Sequence, residues 1–105
     1  MTDFVPVAKL SELADPGRKS LELDDRLLVL LRVGADVFCL EDVCTHDGGP
    51  LSDGDLEDHT IACPRHGAKF DIRTGAALTM PATQATLRHD VRIEGDTILV
   101  RVREE

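Results

Sequence analysis

Residues 44–67, "CTHDGGPLSDGDLEDHTIACPRHG", contain two cysteine–histidine pairs. The first pair is Cys44 and His46, with one residue between them, and the second is Cys63 and His66, with two between them. Sixteen residues separate His46 from Cys63, so the full spacing is Cys-x-His-x16-Cys-x2-His. Two such pairs at the ends of one polar segment predict a metal site that is built from two loops.

Glycine accompanies both pairs. Gly48 and Gly49 follow the first pair, and Gly67 follows the second, while Pro64 lies inside the second pair. Glycine lets a backbone wrap closely around a bulky group and turn its N–H groups toward that group. An ordinary tight turn would need the same glycines, so both interpretations predict two tight loops.

The mixed composition of each pair bears on which metal is bound. Structural zinc sites typically place like ligands together, as Cys-x2–4-Cys followed by His-x3–5-His. One cysteine and one histidine from each loop instead suit a two-iron cluster in which two cysteines bind one iron and two histidines bind the other. The pattern therefore favours a Rieske [2Fe-2S] cluster, with a structural zinc site as the alternative.

Residues 44–78 resemble the cluster-binding segment of Rieske ferredoxins, the carriers that serve multicomponent oxygenases, and "MPA" (80–82) and "VRIEGDTILV" (91–100) resemble the same family. The resemblance implies that Cys44 and Cys63 bind one iron and that His46 and His66 bind the other. It also implies that Pro81 lies in a loop that covers the cluster from a third side.

The ligand types also predict the redox potential. Histidine ligation leaves the oxidised cluster neutral, which places Rieske potentials at about -150 to +300 mV, against about -400 mV for plant-type clusters. High-potential relatives carry disulfide cysteines where this chain has Gly49 and Arg65, and hydroxyl side chains where it has Ala68 and Phe70. Without those groups, we expect a potential near the low end, about -150 mV.

The chain is acidic, with 20 Asp and Glu against 12 Lys and Arg among 105 residues, a formal net charge of -8. This balance argues against nucleic acid or an anionic membrane as a partner. Residues 41–58 contain seven acids and no Lys or Arg, so this segment is either a solvated rim or a docking surface. The resemblance implies two protein partners, a flavin-dependent ferredoxin reductase and a terminal oxygenase or other redox enzyme.

Short β-type runs recur along the chain between turn residues. They lie at 4–10, 20–23, 26–33, 36–41, 60–63, 68–72, 86–94 and 97–103, and 42–59 is predicted to be a loop. Regular short strands indicate an all-β antiparallel sandwich or barrel. We expect a single Rieske domain over 1–105, an antiparallel β-sandwich with a cluster-binding subdomain inserted at about 43–78.

The remaining cysteine and histidines are not expected to be ligands. Cys39 lies in the apolar run "VFCL" and is predicted to pack in the core. His59 and His89 lack a cysteine at ligand spacing and are predicted to be structural or surface residues. Three cysteines without a signal pattern favour a soluble protein of the reducing cytoplasm.

The sequence thus predicts a soluble, low-potential one-electron carrier that passes electrons from a flavin reductase to a Rieske non-haem iron oxygenase. No general base, nucleophile or catalytic iron triad is evident in it, so we do not expect an enzyme. The alternatives are the Rieske-like small subunit of an NAD(P)H nitrite reductase complex, a carrier linked to iron-sulfur cluster assembly, and a structural zinc module.

Overall fold

Nine β-strands and one 3-10 helix form the part of the chain that the computed structural model describes, residues 3–42, 51–64, 67–79 and 86–103. The 3-10 helix is Leu10–Glu12, after the first strand. The strands are β1 Val5–Lys9, β2 Gly17–Leu23, β3 Arg26–Val33, β4 Asp36–Glu41, β5 Asp55–Glu57, β6 Thr60–Ala62, β7 Lys69–Asp71, β8 Arg88–Glu94 and β9 Thr97–Arg101.

The strands form two antiparallel sheets. The larger sheet has six strands in the order β1-β9-β8-β4-β3-β2, and the smaller has three in the order β5-β6-β7. The three strands of the small sheet all fall between β4 and β8 in the chain. The predicted all-β fold with an inserted subdomain is therefore confirmed, while the exact bounds of one domain over 1–105 and of the insertion at 43–78 stay predictions.

One strand was missed by the sequence pattern. β5 has the sequence Asp-Leu-Glu and lies in the stretch that was predicted to be a loop, which was wrong at this point. Only Leu56 is apolar, so no alternating run announces the strand. It forms because Leu56 pairs with Ile61 of β6, and Asp58 adopts a φ of 53° in the tight connection between them.

Strand β3 is buried on both faces and joins two hydrophobic cores. Leu28 and Leu30 pack in one core, which also contains Ile98 and Val100 of β9. Their neighbours Val29 and Leu31 point the other way and pack in the second core. That second core also contains Leu40, Leu51, Ile61, Cys63, Ala68, Phe70 and Ile72. The small sheet is therefore fixed to the outside of the six-stranded sheet through β3 and β4.

Cys39 and His89 occupy adjacent strands of the large sheet, where they pair directly. Cys39 is fully buried, and burial together with the nearby Glu41 carboxylate raises the pKa of its thiol to about 12. His89 is 1% exposed; its Nε2 lies 2.8 Å from a Glu41 oxygen, and its Nδ1 accepts a hydrogen bond from the Arg103 N–H at 2.9 Å. Both residues are structural, as predicted.

The burial of His89 predicts a pH dependence of stability. Burial lowers the pKa of His89 below its ordinary value, against the opposing effect of Glu41. The unfolded chain then binds the proton first as the pH falls below about 6.5, which favours unfolding by at most about 1.4 kcal/mol per pH unit. We expect the melting temperature to fall between pH 7.5 and 5.5, and to fall less in His89→Gln. Parallel pH profiles for the two proteins would contradict this assignment.

Candidate metal centre

The predicted site residues divide into two groups. Cys63, Pro64 and Gly67 lie in the described part of the chain. The others, Cys44, His46, Gly48, Gly49, His66 and Pro81, lie outside the described residues. The site is therefore built here from Cys63 and from the residues that flank the three segments 43–50, 65–66 and 80–85.

Cys63 begins a tight loop at the end of β6. Its N–H donates to the Ala68 carbonyl at 2.7 Å, and the Gly67 N–H donates back to the Cys63 carbonyl at 2.9 Å. Gly67 has a φ of +76°, a conformation that glycine adopts without strain, so the predicted need for glycine holds at this position. Cys63 is 1% exposed and belongs to the core that contains Ala68 and Phe70.

The residues on either side of segment 43–50 are tied to each other. The Ser52 N–H donates to the carboxylate of Asp42 at 2.7 Å. Asp42 is itself buried, and its N–H donates to the Leu27 carbonyl of β3 at 2.9 Å. Leu51, which directly follows segment 43–50, is fully buried in the same core as Cys63. The two residues that border segment 43–50 on its described sides are thus held together through Ser52, and Leu51 lies in the core that contains Cys63.

Gly54, in the turn after segment 43–50, lies directly against Ala62 of β6. A Cβ atom added at Gly54 would overlap the Ala62 carbonyl oxygen, so only glycine fits there. Ala62 directly precedes Cys63. The sequence analysis did not single out Gly54 or Asp42, and the signal that was available is the turn-forming "SDGD" at 52–55.

The residues that flank segment 80–85 contact Lys69 and Glu41, which lie close in the chain to the other two segments. On the near side, Leu78 donates its N–H to the Lys69 carbonyl at 2.8 Å, and the Lys69 N–H donates to Thr79 Oγ1 at 2.9 Å. On the far side, the Glu41 N–H donates to the Leu87 carbonyl at 2.8 Å. Thr79, before segment 80–85, thus lies beside Lys69 of the small sheet, and Leu87, after that segment, lies beside Glu41 of the large sheet.

This arrangement fits a two-loop cluster site. Cys63 offers a sulfur in an apolar, water-poor setting, and a thiolate there needs a positive partner such as iron. Among the described residues, no three His, Cys, Asp or Glu side chains gather as a metal site, and three of the four predicted ligands lie outside that set.

Over the same residues, no helix has the length and apolarity to cross a membrane.

Comparison with known proteins agrees with this arrangement. The family model for the Rieske [2Fe-2S] domain matches residues 3–101. The ferredoxin component of the naphthalene 1,2-dioxygenase system of Pseudomonas aeruginosa is 31% identical over 97 residues, which are 92% of this chain and 93% of that protein. The ferredoxin subunit of 3-phenylpropionate/cinnamic acid dioxygenase of Escherichia coli K12 is 35% identical over 91 residues, 85% of this chain and 86% of that one.

Solved structures show the same fold. The ferredoxin of carbazole 1,9a-dioxygenase from Nocardioides aromaticivorans IC177 is 30% identical, with a TM-score of 0.89 over 92% of this chain and 95% of that one. A component of 2-oxoquinoline 8-monooxygenase is also 30% identical with a TM-score of 0.88, but the match spans 96% of this chain and only 26% of the larger one. From its fold, its second loop and these matches, the chain belongs to the Rieske [2Fe-2S] domain family.

Proposed function

We propose that this chain is a cytoplasmic one-electron carrier that takes electrons from a flavin-dependent ferredoxin reductase and passes them to a terminal Rieske non-haem iron oxygenase. The observation that carries the proposal is the near full-length match to ferredoxin components, over 85% or more of this chain and of each of the two relatives. In the 2-oxoquinoline 8-monooxygenase component, by contrast, the match to this chain covers only 26% of the length. The match to the ferredoxin components thus extends over most of both proteins, which supports the carrier role.

The proposed cofactor is one [2Fe-2S] cluster. Cys44 and Cys63 would hold one iron, and His46 and His66 the other. When bound, the cluster supplies reversible storage of a single electron. The chain's own contribution is to fix the two loops against each other and to exclude water, and the fully buried side chains of Leu51 and Phe70 in the Cys63 core serve the second purpose.

The proposed potential lies near the low end of the Rieske range, about -150 mV. Ala68 and Phe70 are both fully buried in the core that contains Cys63, and neither side chain can donate a hydrogen bond. The reduced, more negative state of the site therefore gains no hydroxyl donor from these two positions.

Replacing Ala68 with serine is expected to raise this potential. A hydroxyl at this buried position can donate to a cluster sulfur, and the gain is largest in the reduced state. We expect an upward shift of about 60 mV, which corresponds to a tenfold preference for reduction in a one-electron couple. Redox titration of the visible spectrum measures it. Ala62→Ser is the control, because Ala62 directly precedes Cys63 on β6 and is only half-buried; equal shifts in both variants would contradict the proposed role of residue 68.

The test of function uses the purified holoprotein. We expect two irons and two sulfides per chain, a reddish-brown colour and a rhombic electron spin resonance signal after reduction. With NAD(P)H and a ferredoxin reductase, the protein should be reduced, and the oxygenase component of carbazole 1,9a-dioxygenase should then reoxidise it. A colourless zinc-bearing protein would show the structural zinc module instead. A cluster that exchanges electrons with neither component would contradict the carrier role in oxygenation.

A further inference from the structure

Arg18 links the six-stranded sheet to the inserted small sheet. It lies on β2, the last strand in the order of the large sheet, and it pairs there with Leu31. Its Nη1 donates hydrogen bonds to the carbonyl oxygens of Ser52, at 2.7 Å, and of Gly54. These acceptors lie 34 and 36 residues further along the chain, in the turn that follows the segment with Cys44 and His46.

The same turn is held from its other sides. The Gly54 N–H donates to the Leu51 carbonyl at 2.9 Å, which closes the turn on itself. The Asp42 carboxylate accepts from the Ser52 N–H, and Gly54 packs directly on the Ala62 carbonyl. Arg18 therefore binds, from the large sheet, a turn whose Gly54 contacts Ala62, the residue before Cys63. We call residues 51–54 together with Arg18 the clamp.

Arg18 also brings a positive charge to the turn at residues 51–54. Across the described ranges, no carboxylate lies within ion-pairing distance of its guanidinium, whereas the adjacent Lys19 pairs with Glu12 at 3.1 Å. Hydrogen bonds from a charged donor are among the stronger ones, and carbonyl acceptors leave the net charge of the guanidinium in place. A fixed positive charge favours the more negative state of a site close to it.

We propose that Arg18 is a positioning residue for the [2Fe-2S] cluster. Through the clamp it holds residues 51–54, which follow the segment with Cys44 and His46, against Ala62, which precedes Cys63. Its charge raises the reduction potential. This inference rests on the proposed function, because it assumes that the two segments bind one cluster.

The test compares holoproteins of Arg18→Gln, Arg18→Lys and Lys19→Gln. Lys19→Gln is the matched control, because it removes the same charge one residue away on the same strand. During a challenge with excess chelator, Arg18→Gln should lose its visible absorbance about tenfold faster than the wild type, since two charge-assisted hydrogen bonds are lost. Its midpoint potential should also be lower. Arg18→Lys keeps the charge, but its shorter side chain places the donor nitrogen differently, so it should restore the potential more fully than cluster retention.

Two results would overturn the inference. One is an Arg18→Gln protein that matches Lys19→Gln in both cluster retention and midpoint potential. The other is a lower melting temperature with an unchanged midpoint, which would show a structural role alone. A wild-type protein that holds no [2Fe-2S] cluster would contradict the proposed function first, and its spectrum shows this before any variant is compared.

Discussion

Replacing Cys63 with serine is expected to yield a protein without a stable [2Fe-2S] cluster, whereas replacing Cys39 with serine is expected to leave the cluster in place. Both thiols are buried, so accessibility does not distinguish them. Cys63 begins the tight loop that Gly67 and Ala68 close, directly after β6 of the small sheet. Cys39 lies in the other core, whose described residues include none of the four predicted ligands.

Iron and sulfide content, together with the visible spectrum, measures the outcome. Cys39→Ser serves as the matched control for the loss of a buried thiol, and it is expected to cost some stability but no iron. A Cys63→Ser protein with a full complement of iron and an unchanged spectrum would contradict the ligand assignment. Loss of the cluster from Cys39→Ser, at a temperature where that variant stays folded, would contradict the assignment of Cys39 to packing.

Replacing Phe70 with alanine is expected to cost about 3–5 kcal/mol of folding free energy, since the change removes a large buried side chain and leaves a cavity. Phe70 is fully buried and leads the buried side chains of the described residues in volume. It lies on β7, where it pairs with Ile61 of β6, and it belongs to the core that includes Cys63 and residues of β3 and β4. At about 4–8 °C per kcal/mol for a domain near this size, the melting temperature should fall by more than about 12 °C.

Phe38→Ala is the matched control for Phe70→Ala. Phe38 is only partly buried, and its ring packs edge-on against that of His59, with 5.8 Å between the ring centroids. We expect a smaller loss from it, since less apolar area returns to water. Thermal melts of the two holoproteins, followed by circular dichroism, make the comparison. Equal losses would mean that the core between the two sheets contributes less to stability than its burial indicates.

The sequence predicted best what depends on local pattern. A continuous apolar run marked β3 and an alternating one marked β8, and the fold class followed from the number of such short runs. The positive φ of Gly67 agrees with a glycine that was chosen for its place beside a Cys–His pair. The spacing of the two pairs, together with the family resemblance, was enough to name the family that the comparisons show.

What the sequence did not predict depends on contacts between distant residues. β5 has one apolar residue, and its strand conformation comes from pairing with β6. Arg18 was not singled out in the sequence, because nothing local to it shows that its acceptors lie more than thirty residues away. Gly54 stood in an acidic stretch where glycine suits any turn, and only the approach of Ala62 makes it necessary.

The double burial of β3 has a consequence for how the protein opens. Leu28 and Leu30 face one core while Val29 and Leu31 face the other, so neither core can loosen without exposing this strand. The inserted small sheet and the large sheet should then unfold as one cooperative unit, and the amide hydrogens of β3 should exchange with solvent among the slowest in the chain. Loss of the proposed cluster should therefore also speed hydrogen exchange in the large sheet, because β3 packs in both cores.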